Sequence, residues 1–237
     1  VADGWARALS AAEQITTEHY KGKALAALAP HLPAELIPRA LAAAAQIDDR
    51  YSSAMAEVLE ALAPHLPTAL IPLALAVAER IAPDSKAQTL AALAPYVADG
   101  WARALAAAEQ IAADDHKAPA LAALAPHLPT ALVPRALAAA EQITDVVRKA
   151  EALAALAPYG ADGWARALAV AEQITTEYRK AEALAALAPH LPADLMPRAL
   201  AAAGQINDDV EKAHALAALA PHVADGWARA LQAAERI

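Results

Sequence analysis

Apolar residues recur along the chain at the spacing of a buried helix face, and prolines or short polar turns interrupt them at regular intervals. Residues 120–143, ALAALAPHLPTALVPRALAAAEQI, show this pattern clearly. Two alanine- and leucine-rich runs meet at a proline-containing corner, which predicts two amphipathic helices. Variants of the segment occupy residues 24–47, 59–81 and 183–206. In a second version the motif ADGWARAL replaces the second proline, at residues 91–111, 152–174 and 215–237.

The prolines of the recurring LAP motif measure the repeat, because they are separated by steps of 31 to 34 residues. They are Pro30, Pro64, Pro95, Pro126, Pro158, Pro189 and Pro221. A period in this range is typical of stacked supersecondary units. We therefore predict an all-α fold, an αα-hairpin repeat solenoid that winds as a right-handed superhelix of about 7.5 hairpins. It forms one domain over residues 1–237, with units at about 1–33, 34–67, 68–98, 99–129, 130–161, 162–192 and 193–224 and a half unit at 225–237.

In each predicted hairpin, helix A follows the corner and helix B precedes the next LAP motif. Helix A is expected at residues 34–47, 100–111 and 161–174, and helix B at residues 115–125, 146–157 and 177–188. The LAP proline ends helix B, because its ring clashes with the carbonyl four residues earlier. The second proline, as in Pro38 and Pro134, predicts a 3₁₀ start of helix A. Polar residues between the two helices, among them Asp48, Asp84/Ser85 and Asp145, are predicted N-caps.

Composition narrows the class of protein. The chain is 58% hydrophobic and carries a net charge of -8. The absence of cysteine excludes a disulfide framework and is compatible with the cytoplasm, the expected location. No apolar run approaches the roughly 20 residues of a membrane span, and the negative charge argues against a nucleic-acid partner. The chain starts and stops inside the repeat, so we interpret it as a piece of a longer array.

Signatures of catalysis are missing from the sequence. The P-loop, GxGxxG, HExxH and GxSxG motifs do not occur. Carboxylates recur with the repeat and form no unique cluster of the kind that an active site needs. We therefore expect no enzymatic activity and no cofactor.

Two aromatic rows follow the repeat. Trp5, Trp101, Trp164 and Trp227 share one position at the start of helix A, which the other version fills with Ile37, Ile71, Val133 and Met196. Core packing explains this exchange better than a ligand-stacking row does. His31, His65, His127, His190 and His222, with Tyr96 and Tyr159, follow the LAP proline. No unit offers zinc a second ligand three or four residues away on the same helix, so we expect the rings to cover an apolar seam and to cap helix ends.

The candidate binding residues are two polar rows on helix A. The first contains Arg7, Arg39, Arg103, Arg135, Arg166, Arg198 and Arg229. Seven residues later on the same face, the second contains Gln14, Gln46, Gln110, Gln142, Gln173 and Gln205. Guanidinium groups on a concave helix A surface would suit carboxylates of a partner. The structural alternative is an ordinary ion pair with the acid four residues earlier, such as Asp99 before Arg103.

The layout resembles the tetratricopeptide superfamily: an aromatic residue early in helix A, small residues between the helices and a proline at the end of helix B. The units are mostly 31–32 residues long, against 34 in that family. The stretch ALAALAPHLP followed by ALAAA is most similar to Ala/Leu-rich repeats of bacterial multidomain signalling proteins, which carry signal-transduction (STAND) ATPase or caspase-like modules. That resemblance implies a sensor or interaction array whose effector module lies outside these residues.

From these observations we expect a scaffold that binds a protein or peptide on the concave face of helix A. The first alternative is a structural module that forms homo-oligomers through terminal repeats around Trp5 and Trp227. A weaker alternative is a helical repeat that binds nucleic acid, with side chains that differ from unit to unit.

Overall fold

In a computed structural model the chain is all-α, as predicted, and residues 2–223 are described here. The chain divides into two compact units, Val1–His116 and Lys117–Ile237. In the first unit the helices are α1 Ala2–Glu13, α2 Glu18–Leu28, α3 Ile37–Ala45, α4 Ser52–Leu62, α5 Ile71–Ala78, α6 Pro83–Leu93 and α7 Gly100–Gln110. Helix α8, Asp114–Leu124, spans the boundary between the units. In the second unit they are α9 Val133–Glu141, α10 Val146–Leu156, α11 Gly163–Gln173, α12 Glu177–Leu187, α13 Met196–Gly204 and α14 Asp209–Leu219.

Odd-numbered helices are the A helices and even-numbered helices are the B helices of the predicted hairpins. Within each unit A helices contact their own B helices, as α3 contacts α4 and α9 contacts α10, and B helices also contact each other, as α12 contacts α14. Helix α3 buries Ile37, Ala40, Leu41 and Ala44, which recur at the spacing of one helix face. Alanine at these positions lets helix axes approach closely. The predicted hairpin array is confirmed within each unit.

Every B helix ends in the same way, and the prediction from the LAP proline is confirmed. The α-helix stops at the leucine of the motif, as α2 does at Leu28, and a 3₁₀ turn follows that contains the proline, as in Ala29–His31. The same turn occurs at Ala63–His65, Ala94–Tyr96, Ala125–His127, Ala157–Tyr159, Ala188–His190 and Ala220–His222. A proline lacks the N–H that a further α-helical turn would require.

The A helices begin in two different ways. In three repeats of the proline version a 3₁₀ turn comes first, at Ala34–Leu36, Thr68–Leu70 and Thr130–Leu132, and the second proline lies in the first turn of the α-helix that follows. Before α13, residues 193–195 form a turn without the 3₁₀ pattern, so the predicted 3₁₀ start is wrong at Pro197. The α-helix of that version therefore starts three residues later than predicted, at Ile37 in place of position 34.

In the tryptophan version the α-helix starts directly at a glycine, Gly100 or Gly163. A Cβ atom there would lie 2.4 Å from the Cα of Ala94 or 2.3 Å from the Cα of Ala157. Only glycine therefore allows this close approach between the start of helix A and the 3₁₀ turn before it.

Aspartates at the A-to-B turns cap the following helix in part. Asp145 accepts hydrogen bonds from the N–H groups of Val147 and Arg148, and Asp208 does the same for α14. Hydrogen bonds from Arg50 lower the pKa of Asp48 to about 2; the bond from its side chain has the larger effect and the bond from its backbone N–H the smaller one. The predicted cap at Asp84/Ser85 is wrong, because α6 already begins at Pro83, whose fixed φ suits the first helical position.

None of the α-helices in residues 2–223 combines the length and the apolar composition needed to cross a bilayer.

Candidate functional site

The arginines of the predicted site that the structure describes, Arg7, Arg39, Arg103, Arg135, Arg166 and Arg198, are all exposed. Arg229 lies outside the described residues, as does Trp227. Each described arginine occupies the first half of an A helix. The repeat therefore presents a guanidinium group at the same place on successive A helices of a unit.

Three of these arginines pair with the preceding A helix. Arg39 donates from Nε to Glu13 at 2.8 Å and from Nη2 to Glu13 and to the Ser10 hydroxyl. Arg166 donates to Glu141 at 2.6 Å. Arg198 holds Glu172 with two parallel bonds of 2.7 and 2.6 Å. At these positions the predicted pair with the acid four residues earlier is wrong.

These ion pairs also have an electrostatic reason within each helix. An arginine near a helix N-terminus and a glutamate near a helix C-terminus each interact unfavourably with the helix dipole. Pairing the two charges neutralises both. The hydrogen bond that each guanidinium donates to its glutamate raises the pKa of Arg39 and of Arg198 above the ordinary value. The arginine row thus ties successive A helices together within a unit.

Among the described arginines, Arg103 forms the predicted pair with the acid four residues earlier. Its Nε donates to Asp99, four residues earlier, at 3.0 Å. The glutamate at the position equivalent to Glu141 is Glu79, and Lys86 bonds to both the carbonyl and the carboxylate of Glu79, at 2.8 and 3.4 Å. Glu79 is thus paired with a lysine of the following B helix where Arg103 is paired with Asp99.

Sequence reasoning missed Glu13, Glu141 and Glu172, although the repeat contains a signal for them. Each glutamate stands directly before a glutamine of the second row. In the repeat where this glutamate is replaced by Ala45, the arginine of the next repeat is replaced by Leu73, which is 44% exposed and so is not needed for the core. The two charges are lost together in this repeat, whereas Gly204 replaces the glutamate of a later repeat and the arginine that follows, Arg229, is kept.

Arg80 supplies a different link in that repeat. It stands where other repeats have the glutamine, and it donates to the carbonyls of Ala45 and Ile47 at 2.6 and 3.2 Å and to Asp49 at 2.6 Å. It thereby satisfies carbonyl groups at the C-terminal end of α3, which have no partner within the helix. Arg80 thus links the two repeats in which Ala45 and Leu73 stand in place of the glutamate and the arginine.

The glutamine row differs from the arginine row because its described side chains make no hydrogen bonds. All its members, Gln14, Gln46, Gln110, Gln142, Gln173 and Gln205, are exposed. None of their side-chain amides has a hydrogen-bond partner within residues 2–223. Each amide can donate two hydrogen bonds and accept two. The structure thus leaves a row of unused amide groups at the ends of the A helices.

The aromatic rows meet each other. The rings of Trp5 and His31 stack with centroids 5.7 Å apart, and those of Trp164 and His190 with centroids 5.8 Å apart. These tryptophans are half-buried, whereas Ile37 and Val133 at the same position of the other version are buried. The histidine rings of the two stacks pack on tryptophan and do not cap helix ends within the described residues. No group of three or more His, Asp or Glu side chains there is arranged to hold a metal ion.

No protein-family model and no curated protein matches the chain. One similar solved structure comes from the computational design of self-assembling cyclic protein homo-oligomers; the match covers 99% of this chain and 92% of that chain at 20% identity, with a TM-score of 0.14. At that TM-score the likeness says nothing about function. The hairpins of each unit agree with the predicted resemblance to tetratricopeptide repeats, whereas no family model supports the resemblance to bacterial Ala/Leu-rich signalling repeats.

Proposed function

We propose that the array is a non-catalytic scaffold that binds a protein or peptide along the exposed face of its A helices. The observation that carries this proposal is the glutamine row, whose amides are exposed and unpaired within the described part of the chain. The arginines support the site by holding successive A helices in position. Arg166 and Arg198 do so through Glu141 and Glu172, which also compensate their charges. The placing of the A helices on the concave side of the array stays a prediction.

An extended peptide is the natural complement of such a row. A glutamine amide offers one donor and one acceptor side by side, which matches the N–H and C=O of a peptide group. Neighbouring helix axes lie roughly 8–10 Å apart, and an extended chain rises about 3.3 Å per residue. Successive glutamines would therefore meet the peptide about every third residue. Gln142, Gln173 and Gln205 in the second unit would bind a segment of about seven residues.

The experiment is a selection of peptides from a random library displayed on phage, followed by affinity measurement on the full chain. The double variant Gln142→Ala/Gln173→Ala should weaken a selected peptide at least tenfold, because two pairs of hydrogen bonds are lost. The matched control is Arg179→Ala/Glu182→Ala on α12, an exposed pair on a B helix. Equal affinity of the glutamine variant and the wild type, or a larger loss in the control, would refute the proposal.

A second candidate function, self-association, is favoured by the apolar face of the first hairpin. An alanine-lined concavity of about 560 Å³ lies on α1 and α2, between residues that include Ala8, Ala11, Ile15, Ala24, Ala27 and Leu28. Ala11 is exposed and Ile15 half-buried, whereas their counterparts in α3, Ala43 and Ile47, are 6% and 0% exposed. A second copy of the chain is the occupant proposed for this face.

Light scattering after size exclusion tests that candidate. A mass that rises above 24.4 kDa with concentration and returns to the monomer value in Ala11→Glu supports self-association through α1 and α2. The control Ala42→Glu changes an exposed alanine of α3 and should leave the mass profile unchanged. A constant monomer mass for the wild type would exclude this candidate.

A further inference from the structure

One residue distinguishes the corner before α11 from its counterpart before α7. The segment APYGADGWARAL has Gly160 where APYVADGWARAL has Val97. Gly160 has extended backbone angles, φ −120° and ψ 141°, which any residue can adopt. A Cβ atom at Gly160 would lie 2.8 Å from Cδ1 of Leu137. A side chain at this position would therefore require the end of the Leu137 side chain to move, whereas the backbone conformation would not change.

The space beside Gly160 is a cavity of about 220 Å³ within the second unit. Val133, Pro134 and Leu137 of α9 form its apolar wall, and Tyr159 and Asp162 of the corner lie at its rim. Pockets for whole small-molecule ligands have volumes of about 300–1,000 Å³. The cavity is smaller than that range and suits one side chain of a larger partner.

The charge at the rim is negative, because Arg166 faces a different acid. The Arg166 guanidinium, which also lines the cavity, donates to Glu141 at 2.6 Å, and these two charges compensate each other. Asp162 has no side-chain partner among residues 2–223. Its counterpart Asp99 is neutralised by Arg103 at 3.0 Å. One uncompensated carboxylate therefore lies beside an apolar cavity that has room for a side chain.

We infer that this cavity binds a lysine side chain of the partner protein or peptide, an inference that rests on the proposed function. The four methylene groups of lysine would cover Val133, Pro134 and Leu137. Its ammonium group would donate to the Asp162 carboxylate, next to the exposed ring of Tyr159, whose face attracts a cation. A compact ammonium on an aliphatic stem fits a narrow apolar cavity with one carboxylate, whereas a guanidinium needs a wider, forked acceptor.

The probe is Nα-acetyl-lysine N-methylamide, titrated into the full chain labelled with ¹⁵N. The amide signals of Gly160 and Gly163 should shift in a saturable way, with a Kd on the order of millimolar for a single side chain. Gly100, at the corner with Val97, is the internal control and should not shift. The norleucine analogue, which has the same aliphatic stem without the charge, should bind about tenfold more weakly.

Two variants test the residues. Asp162→Asn removes the charge and should weaken the lysine probe about tenfold, and Gly160→Val fills the cavity and should abolish the shifts. The array accepts valine at this position, since Val97 and Val223 occupy it in other repeats, and a thermal melt of Gly160→Val checks that the fold is kept. If the probe shifts Gly100 as much as Gly160, or binds Asp162→Asn with wild-type affinity, the inference is wrong.

The two proposals fail independently. A peptide that depends on Gln142 and Gln173, in a chain that ignores the lysine probe, would leave the scaffold function standing and remove the lysine site. If the lysine probe depends on Asp162 but the selected peptides do not depend on the glutamines, the lysine site stands and the glutamine row is removed as the scaffold's binding site.

Discussion

The corner between α6 and α7 and the corner between α10 and α11 have almost the same sequence and different surfaces. Both carry APY-x-ADGWARAL, and both start the A helix at a glycine that packs against the preceding 3₁₀ turn. At the first corner Val97 is half-buried and Asp99 pairs with Arg103. At the second, Gly160 leaves a cavity, and Arg166 pairs with Glu141 and not with Asp162.

The difference teaches that competition among neighbours decides the surface pairs of a repeat. In the first unit Lys86 pairs with Glu79, and Arg103 pairs with Asp99. Glu141 instead accepts from Arg166 in the second unit. Exposed ion pairs contribute about 0–1 kcal/mol each, so that exchanging one partner for another has a small energetic cost. Repeats can therefore share a core and present different charges.

The B helices also differ between repeats in their polar contacts, here at buried positions. Glu60 of α4 meets Thr89 of α6 at 3.2 Å, whereas the equivalent residues of α10 and α12 are Ala154 and Ala183, which line a cavity of about 160 Å³. Thr89 is fully buried, and its hydroxyl also lies 3.1 Å from the carbonyl of Ser85. Since that hydroxyl has one proton, it can donate to only one of the two oxygens.

The largest expected effect comes from the feature that both corners share. Gly163→Ala and Gly100→Ala should each destabilise the chain by about 3 kcal/mol, because the new Cβ would overlap backbone atoms of the 3₁₀ turn. Urea unfolding measures this change. The control is Gly4→Ala in the same motif of α1, where no atom lies within 4 Å of the new Cβ. It should be neutral or raise stability by up to about 1 kcal/mol, and an equal loss in all three variants would contradict the explanation.

The second prediction makes the α11 corner resemble the α7 corner. Glu141→Gln removes the charge that holds Arg166, which is then free to pair with Asp162, four residues earlier. The rim of the cavity becomes neutral, so the affinity for the lysine probe should fall about tenfold, or about 1.4 kcal/mol. Titration followed by NMR measures the change. Glu79→Gln, at the equivalent position in the first unit, is the control and should leave the affinity unchanged.

The third prediction makes the α7 corner resemble the α11 corner. Val97→Gly opens the space, but Asp99 stays paired with Arg103, so this variant alone should bind the lysine probe weakly. Adding Arg103→Gln should free the carboxylate and strengthen binding at the Gly100 corner about fivefold over Val97→Gly alone. If Val97→Gly alone binds as well as the wild-type Gly160 corner, the Asp99–Arg103 pair is irrelevant to the difference.

The smallest predicted effect concerns the B helices and depends on pH. Burial raises the pKa of Glu60 above its ordinary 4.5, and the hydrogen bonds from Thr89 and Gln88 oppose this only in part. The folded chain therefore binds more protons than the unfolded chain between 4.5 and the raised pKa. In that window stability should fall as pH rises, and it should level off above it. Glu60→Gln should flatten the profile in urea titrations at pH 4 to 8, whereas the exposed Glu151→Gln should leave it unchanged.

Much of the fold could be predicted from single residues, because those residues act locally. The prolines of the LAP motif end the B helices, and Pro38, Pro72 and Pro134 begin the α-helix after a 3₁₀ turn. Both effects come from a missing N–H and a fixed φ within one turn of chain. The cap at Asp84/Ser85 was wrong for a local reason too, since Pro83 is a stronger start signal.

The candidate site could be predicted only in part. The positions and the exposure of the arginine and glutamine rows follow from the repeat, whereas the partners of Arg39, Arg166 and Arg198 lie 25 or 26 residues away. The joint replacement at Ala45 and Leu73 was the available signal for those pairs. The stacking of Trp5 on His31 likewise joins residues of different helices, and composition alone does not reveal it.

The sequence by itself determined the all-α class, the period of the hairpins and the residues that end each helix, because backbone geometry and apolar periodicity depend on near neighbours along the chain. Only the tertiary structure decided which acid each arginine holds, that Asp162 has no side-chain partner in the described residues, and that Gly160 borders a cavity. Those outcomes depend on distances between helices of different repeats. Near-identical motifs can therefore have identical local structure and still present different binding surfaces.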